Sequence, residues 1–135
     1  MLEEHLLRLA QALDLPVPRK NKLSGFEFQL SDDLVLTFTE KDPGFFIFSV
    51  VGPPPTQKKE EAFIYFMKAN LLGQGTGGQV LGLDAEEKFL TLSRLIQYDM
   101  NYQHFKDLVE DFANYVLYWR EEANRLQKES LEGIV

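Results

Sequence analysis

From Gly25 to Val51 the hydrophobic period of this chain is two. Phe26, Phe28 and Leu30 alternate with Glu27 and Gln29, and Ser31-Asp32-Asp33 supplies turn chemistry. Leu34, Leu36 and Phe38 then alternate with Val35, Thr37 and Thr39, and Lys41-Asp42-Pro43-Gly44 turns the chain into Phe45–Val51. Strands joined by such short turns pair antiparallel, which predicts a three-stranded meander. On both sides of it the period is helical. Leu2, Leu6, Leu9 and Leu13 predict an amphipathic helix over 2–13, stopped by Leu15-Pro16-Val17-Pro18. Gly52-Pro53-Pro54-Pro55 ends the sheet, because Pro lacks a ladder donor, and Thr56 is the expected N-cap of a helix over 57–72. The glycine-rich loop Gly73–Gly78 leads into a hairpin of Gln79–Leu83 and Lys88–Ile96 around Asp84-Ala85-Glu86. Asn101 or Asp99 caps a final helix, where Phe105, Leu108, Val109, Phe112, Val116, Trp119, Ala123 and Leu126 form one stripe over about 26 residues. The expected fold class is α+β: helix, three-strand antiparallel meander, helix, β-hairpin, long C-terminal helix. One domain is expected over 1–128, with a frayed tail over 129–135.

Composition narrows the chemistry. With 44% hydrophobic and 13% aromatic residues in 135, the chain has enough apolar surface for one core. It has no Cys, which removes disulfides and thiolate metal sites, and its two His residues, His5 and His104, are far apart. No metal or cofactor is expected. The net charge of −7 is spread along the chain without a basic segment, so nucleic acid is not an expected partner. No apolar run is long enough for membrane insertion, and Glu3 and Glu4 at the start do not suit a secretory signal, so the expected location is the cytoplasm.

Gly73-Gln74-Gly75-Thr76-Gly77-Gly78 matches the dinucleotide fingerprint in letters and not in context. That fingerprint follows a strand and opens a helix, whereas this loop follows a helix and opens a strand, which suits a helix C-cap with Gly73 near C′. The pairs Asp32-Asp33, Glu60-Glu61, Glu86-Glu87 and Glu121-Glu122 fall in turns or at polar helix positions and read as solvated faces. Neither His has an evident Ser or Asp arrangement beside it, so no enzyme activity is expected.

Two surfaces exceed what one chain readily buries. In the second helix Ala62-Phe63-Ile64-Tyr65-Phe66-Met67, with Ala69, Leu71 and Leu72, places apolar groups all round the cylinder, which asks for cover on two sides. A second copy of the chain is the simplest cover; a central place in a single core is the alternative. In the meander, Phe26, Phe28, Leu30, Leu34, Leu36, Phe38, Phe46, Phe48 and Val50 form a face expected to pack on the final helix. Val35, Thr37, Phe45, Ile47 and Val51 make the opposite face too apolar for free solvent, with only the first helix to shield it. An extended peptide suits such a surface, and complete cover by the first helix is the alternative.

The stretch Met67-Lys68-Ala69-Asn70-Leu71-Leu72-Gly73-Gln74-Gly75-Thr76-Gly77-Gly78-Gln79-Val80-Leu81-Gly82-Leu83-Asp84 resembles the central signature of class I type III secretion chaperones, the Tir-chaperone family. In that signature an apolar helix runs into Asn-Leu-Leu, a Thr-Gly-Gly loop and an apolar strand ending in Asp; Gly75 is an extra glycine here. The similarity continues through Leu90–Ile96 and through Tyr102, Phe105, Phe112 and Trp119. The resemblance implies a homodimer in the bacterial cytoplasm that binds the N-terminal region of secreted effector proteins, keeps it extended and delivers it to the type III export apparatus, with no cofactor. It places the dimer interface at Phe63, Phe66, Met67, Leu71, Leu83 and Leu92, and the effector-binding surface at Leu6, Leu9, Leu13, Val35, Phe45, Ile47 and Val51. A heterodimer with a related chaperone stays open. The rival reading is a sensory or regulatory domain of similar fold, in which a compact pocket takes a small ligand or a signalling protein.

Overall fold

A computed structural model describes residues 2–22, 25–71 and 78–132. The elements run α1 (Leu2–Ala12), β1 (Arg19–Lys20), β2 (Gly25–Ser31), β3 (Leu34–Lys41), β4 (Gly44–Gly52), α2 (Lys59–Asn70), β5 (Val80–Leu83), β6 (Leu90–Ile96) and α3 (Tyr102–Glu132). The α+β class and the expected element order hold, with β1 as an addition. The strands form one six-stranded sheet in the order β1-β2-β3-β4-β6-β5. The pairs β1–β2, β2–β3, β3–β4 and β5–β6 are antiparallel. The chain divides into two compact units, residues 1–49 with 94–111, and 50–93 with 112–135.

In the first unit the meander has one buried face. Phe26, Phe28, Leu34, Leu36, Phe38, Phe45 and Ile47 are buried on it, together with Leu2, Leu6, Leu9 and Ala10 of α1 and Phe105, Leu108 and Val109 of α3. Phe38, Phe45 and Phe105 meet with ring centroids 5.5–5.9 Å apart, in the tilted and edge-on arrangements that the ring quadrupole favours. β4 stands in the opposite phase to that expected from its sequence. Cross-strand partners share a face, and the register pairs Phe38 with Ile47 and Thr37 with Phe48. Phe45 and Ile47 therefore lie in the core, while Phe46 and Phe48 stand half-buried on the other side. The run Phe45-Phe46-Ile47-Phe48 is apolar at both parities, so hydrophobicity alone does not choose, and the tight turn that pairs Lys41 with Gly44 does. Gly44 is needed there, since a Cβ on it would lie 1.8 Å from the carbonyl oxygen of Ile96.

The first helix also departs from expectation. It does not shield the outer face of the meander: His5 stacks on Phe105 at 5.1 Å, its Nε2 donates to the Met100 carbonyl at 2.9 Å, and the Arg8 guanidinium lies 4.3 Å from the Tyr102 ring centroid. These contacts tie α1 to the start of α3, on the core side. Asn101 is the N-cap of α3, its Oδ1 accepting the His104 N–H at 2.8 Å.

In the second unit, Ala62, Phe66 and Ala69 of α2, Leu81, Leu90 and Leu92 of the hairpin, Val51, and Phe112, Val116, Trp119 and Ala123 of α3 are buried. Trp119 meets Phe66 edge-on at 5.9 Å and Tyr65 at 5.7 Å. The expected N-cap at Thr56 is a correction. The helix starts at Lys59 behind Lys58 in a left-handed conformation without a side-chain cap, and Thr56 instead joins α3, its N–H donating to Gln127 Oε1 at 2.7 Å and its hydroxyl accepting from Gln127 Nε2 at 2.9 Å. Leu71 is the C-cap of α2, and the cap expected at Gly73 lies outside the described residues. The hairpin turn is organised by Asp84, whose Oδ1 accepts the N–H groups of Lys88 and Phe89 at 2.7 and 3.1 Å. α3 continues to Glu132, past the residue 128 boundary drawn from the sequence.

The register makes a direct prediction. Ile47→Asp buries a carboxylate with no partner and is expected to cost more than about 3 kcal/mol, leaving little cooperative unfolding. Phe48→Asp, on the half-buried face, is expected to cost about 1 kcal/mol or less. Urea titrations followed by circular dichroism check this, and equal costs would contradict the assigned faces.

Candidate interaction surfaces

The outer face of the meander, in the first unit, is a ruled surface set by the strand register. Arg19, Glu27, Thr37 and Phe48 form one row across four strands, Gln29 and Val35 a second, and Thr39 and Phe46 a third. Val35, Thr37, Thr39, Phe46 and Phe48 are all half-buried, so aromatic and methyl surface is left at the solvent boundary. At the β1 end lies a cavity of about 200 Å³ lined by Pro16, Val17, Arg19, Glu27, Gln29 and Val35, with Val17 67% exposed. The prolines at 16 and 18 hold Val17 in extended chain, since Pro fixes φ and removes a donor. β1 is the edge strand of the sheet and is two residues long, and a sheet edge is where an extended peptide can add a strand.

The effector-binding residues read from the sequence fall mostly elsewhere. Leu6, Leu9, Phe45, Ile47 and Val51 are buried, between 0% and 4% exposed, and present no surface to a partner. Leu13, just past α1, is exposed, and Val35 is half-buried on the outer face. Phe46 and Phe48 were assigned inward and in fact carry the aromatic surface of that face. The lone signal for Val17 was an apolar residue held between two prolines.

The second unit has a groove of about 270 Å³ between α2 and β5, lined by Phe63, Phe66, Met67, Asn70, Leu81, Gly82, Leu83 and Leu90. The structure brings Phe63, Phe66, Met67 and Leu83 of the expected dimer set together here. Leu71 is exposed nearby in sequence, whereas Leu92 is fully buried and presents no surface. Asn70 is the one polar side chain in the lining, and its amide is used: Nδ2 donates to the Leu81 carbonyl and Oδ1 accepts the Leu81 N–H, both at 2.8 Å. One side chain thereby satisfies both backbone groups of Leu81 on the open side of β5, and the groove that remains is apolar. Ile64, Met67 and Val80 add exposed apolar surface, from 53% to 69% exposed. On another side of α2 the Tyr65 hydroxyl donates to Glu122 Oε2 at 3.3 Å, and Glu122 pairs with Arg125 at 2.7 Å. Burial and the Glu122 carboxylate push the Tyr65 hydroxyl above its ordinary pKa, so it stays a neutral donor at physiological pH.

Among the described residues no group of three or more His, Asp or Glu side chains is placed to hold a metal ion, and no helix is long and apolar enough to cross a membrane.

A family model described as the Tir chaperone protein (CesT) family matches residues 4–120. The chain belongs to this family. The stretch Met67–Asp84, which carries the resemblance in the sequence, lies inside the match. A Chlamydia pneumoniae protein is 35% identical to this family member over 66 residues, 49% of this chain and 50% of its own length, so the chain spans about half of that relative. Solved structures share the fold. A chain of the ExsC–ExsE complex superposes with a TM-score of 0.71 at 10% identity, over 90% of this chain and 92% of that one. A chain of the HopA1–SchA chaperone–effector complex gives 0.67 at 14%, over 89% and 93%. The structure of the Yersinia pestis type III secretion chaperone SycH in complex with a stable fragment of YscM2 gives 0.65 at 14%, over 87% and 98%.

Asn70 offers a local test. Asn70→Leu removes two hydrogen bonds and leaves the Leu81 backbone unpartnered, with an expected loss of about 1–3 kcal/mol and faster amide exchange at Leu81. Unchanged exchange at Leu81 would show that the clip does not hold the edge.

Proposed function

We propose that this chaperone-family chain is a non-enzymatic carrier of type III secretion in the bacterial cytoplasm, which holds the N-terminal segment of a secreted effector in extended form for the export apparatus. The observation that carries the reading is the outer face of the meander, where Val35, Phe46 and Phe48 stand half-buried on one face of a sheet whose edge strand is β1. A disordered segment loses conformational entropy when held, and apolar burial together with main-chain pairing supplies the compensating free energy. Burying a Phe side chain contributes roughly 1.5–3 kcal/mol, so Phe46 and Phe48 are the expected anchors. The fold neighbours, a chaperone–effector complex and a secretion chaperone in complex with a fragment, support the same occupant.

The working form in this proposal is a homodimer joined through the α2–β5 groove. Phe63, Met67 and Leu83 line it, and its single polar side chain is already satisfied by Leu81. The cavities of about 200 and 270 Å³ fall below the roughly 300–1,000 Å³ of small-molecule sites, which weighs against the sensory reading.

Two variants separate the surfaces. Met67→Asp is expected to lower the light-scattering mass from two protomers to one while leaving the circular-dichroism spectrum of the folded parent unchanged, since Met67 is exposed in the single chain. Phe48→Asp is expected to keep the two-protomer mass and to reduce effector-segment binding in pull-down at least tenfold. Retention of the dimer by Met67→Asp, or undiminished capture by Phe48→Asp, would contradict the corresponding assignment.

A further inference from the structure

The first unit has another cavity, of about 260 Å³, away from the outer face of the meander. Its floor is apolar and buried, formed by Leu2, Phe45 and Met100. Glu40, Asp42 and Asp99 also line it, and all three are exposed. Among the described residues no ion pair joins these three carboxylates to a basic side chain, and no Lys or Arg lines the cavity. Lys41 separates Glu40 and Asp42 in sequence, but it is not part of the lining.

Two further polar side chains line the cavity, Tyr98 and His5. His5 Nε2 bonds the Met100 carbonyl at 2.9 Å, and a carbonyl only accepts, so that nitrogen carries a proton. In the neutral ring Nδ1 is then an acceptor, so beside the Tyr98 hydroxyl the side chains free to bond at the rim are acceptors, the three carboxylates foremost. The volume is too small for a typical small-molecule site and is on the scale of one long side chain.

We infer that this cavity is a recognition pocket for an arginine side chain of a partner polypeptide. The aliphatic stem would lie on Leu2, Phe45 and Met100, as long cationic side chains do on apolar surface. The guanidinium, with five donors in a planar fork, would meet the carboxylates at the rim, and exchange of water for carboxylate oxygens is favourable where charge assists the hydrogen bond. The pocket adds a chemical requirement to the carrier proposal and rests on it for the source of the arginine: the bound segment carries one at a position that reaches the α1–α3 junction.

Isolated ¹⁵N-labelled protein and two blocked tripeptides test this, acetyl-Ala-Arg-Ala-amide and its neutral isostere with citrulline in place of arginine. The arginine peptide is expected to shift the amides of Gly44, Tyr98 and Asp99 with a Kd of about 1 mM, the range of a single side-chain contact. The citrulline peptide is expected to bind at least tenfold more weakly. The triple variant Glu40→Gln, Asp42→Asn, Asp99→Asn is expected to lose the same tenfold, while Glu110→Gln, which removes an exposed charge elsewhere, leaves binding unchanged. Equal binding of the two peptides, shifts confined to other amides, or full binding by the triple variant would overturn the pocket. The test needs no effector, so a pocket that binds arginine in a protein that carries no secreted polypeptide would sink the carrier proposal alone.

Discussion

The pairing of Phe38 with Ile47 fixes which side of the meander is core, and the interaction surfaces of the first unit follow from it. Once those two side chains share a face, Phe45 closes on Phe38 and Phe105, Ile47 is buried with them, and Phe46 and Phe48 have no place inside. Alternation then leaves a row of half-buried aromatic and methyl groups outside. That outer row is the residue of a core already filled from the other side, where α1 and α3 both pack. The apolar outer surface needs no separate origin; strand periodicity in a chain with Phe at consecutive positions produces it.

Helix α2 reflects a second constraint of the same kind. Its inward side is filled by Ala62, Phe66 and Ala69, with Phe66 against Trp119, and its remaining apolar residues are left exposed or along the β5 groove. Asn70 then decides what sort of contact the groove offers. By closing the backbone of Leu81 it withdraws that part of the β5 edge from strand pairing, so side-chain packing is the favoured mode there. β1 forms the other edge of the sheet, where an extended segment can pair through its main chain.

Local signals were legible in the sequence. The element order, the Asn101 cap and the Asp84 turn each depend on residues a few positions apart. What depended on distant contacts was not. Thr56 has the chemistry of an N-cap, yet Gln127 competes for it from across the chain. Both parities of Phe45–Phe48 are apolar, so the turn register chose the face, and five of the seven residues assigned to the effector surface proved to be interior. The first helix has an apolar stripe that fits either side of a sheet; His5 stacking on Phe105 and Arg8 over Tyr102 place it, and neither pair is visible from periodicity. Leu92 followed the hairpin pattern correctly as an apolar strand residue, but alternation does not reveal that its face is already covered.

The proposed carrier role puts an extended polypeptide on the outer face of the meander. It is tested most directly by amide hydrogen exchange on the protein purified from its native host together with whatever polypeptide it retains, compared with the protein alone. A retained secreted protein and added protection in Arg19–Lys20, Val35–Thr39 and Phe46–Phe48 are expected. Protection confined to α2 and β5, or purification without any polypeptide partner, would contradict it.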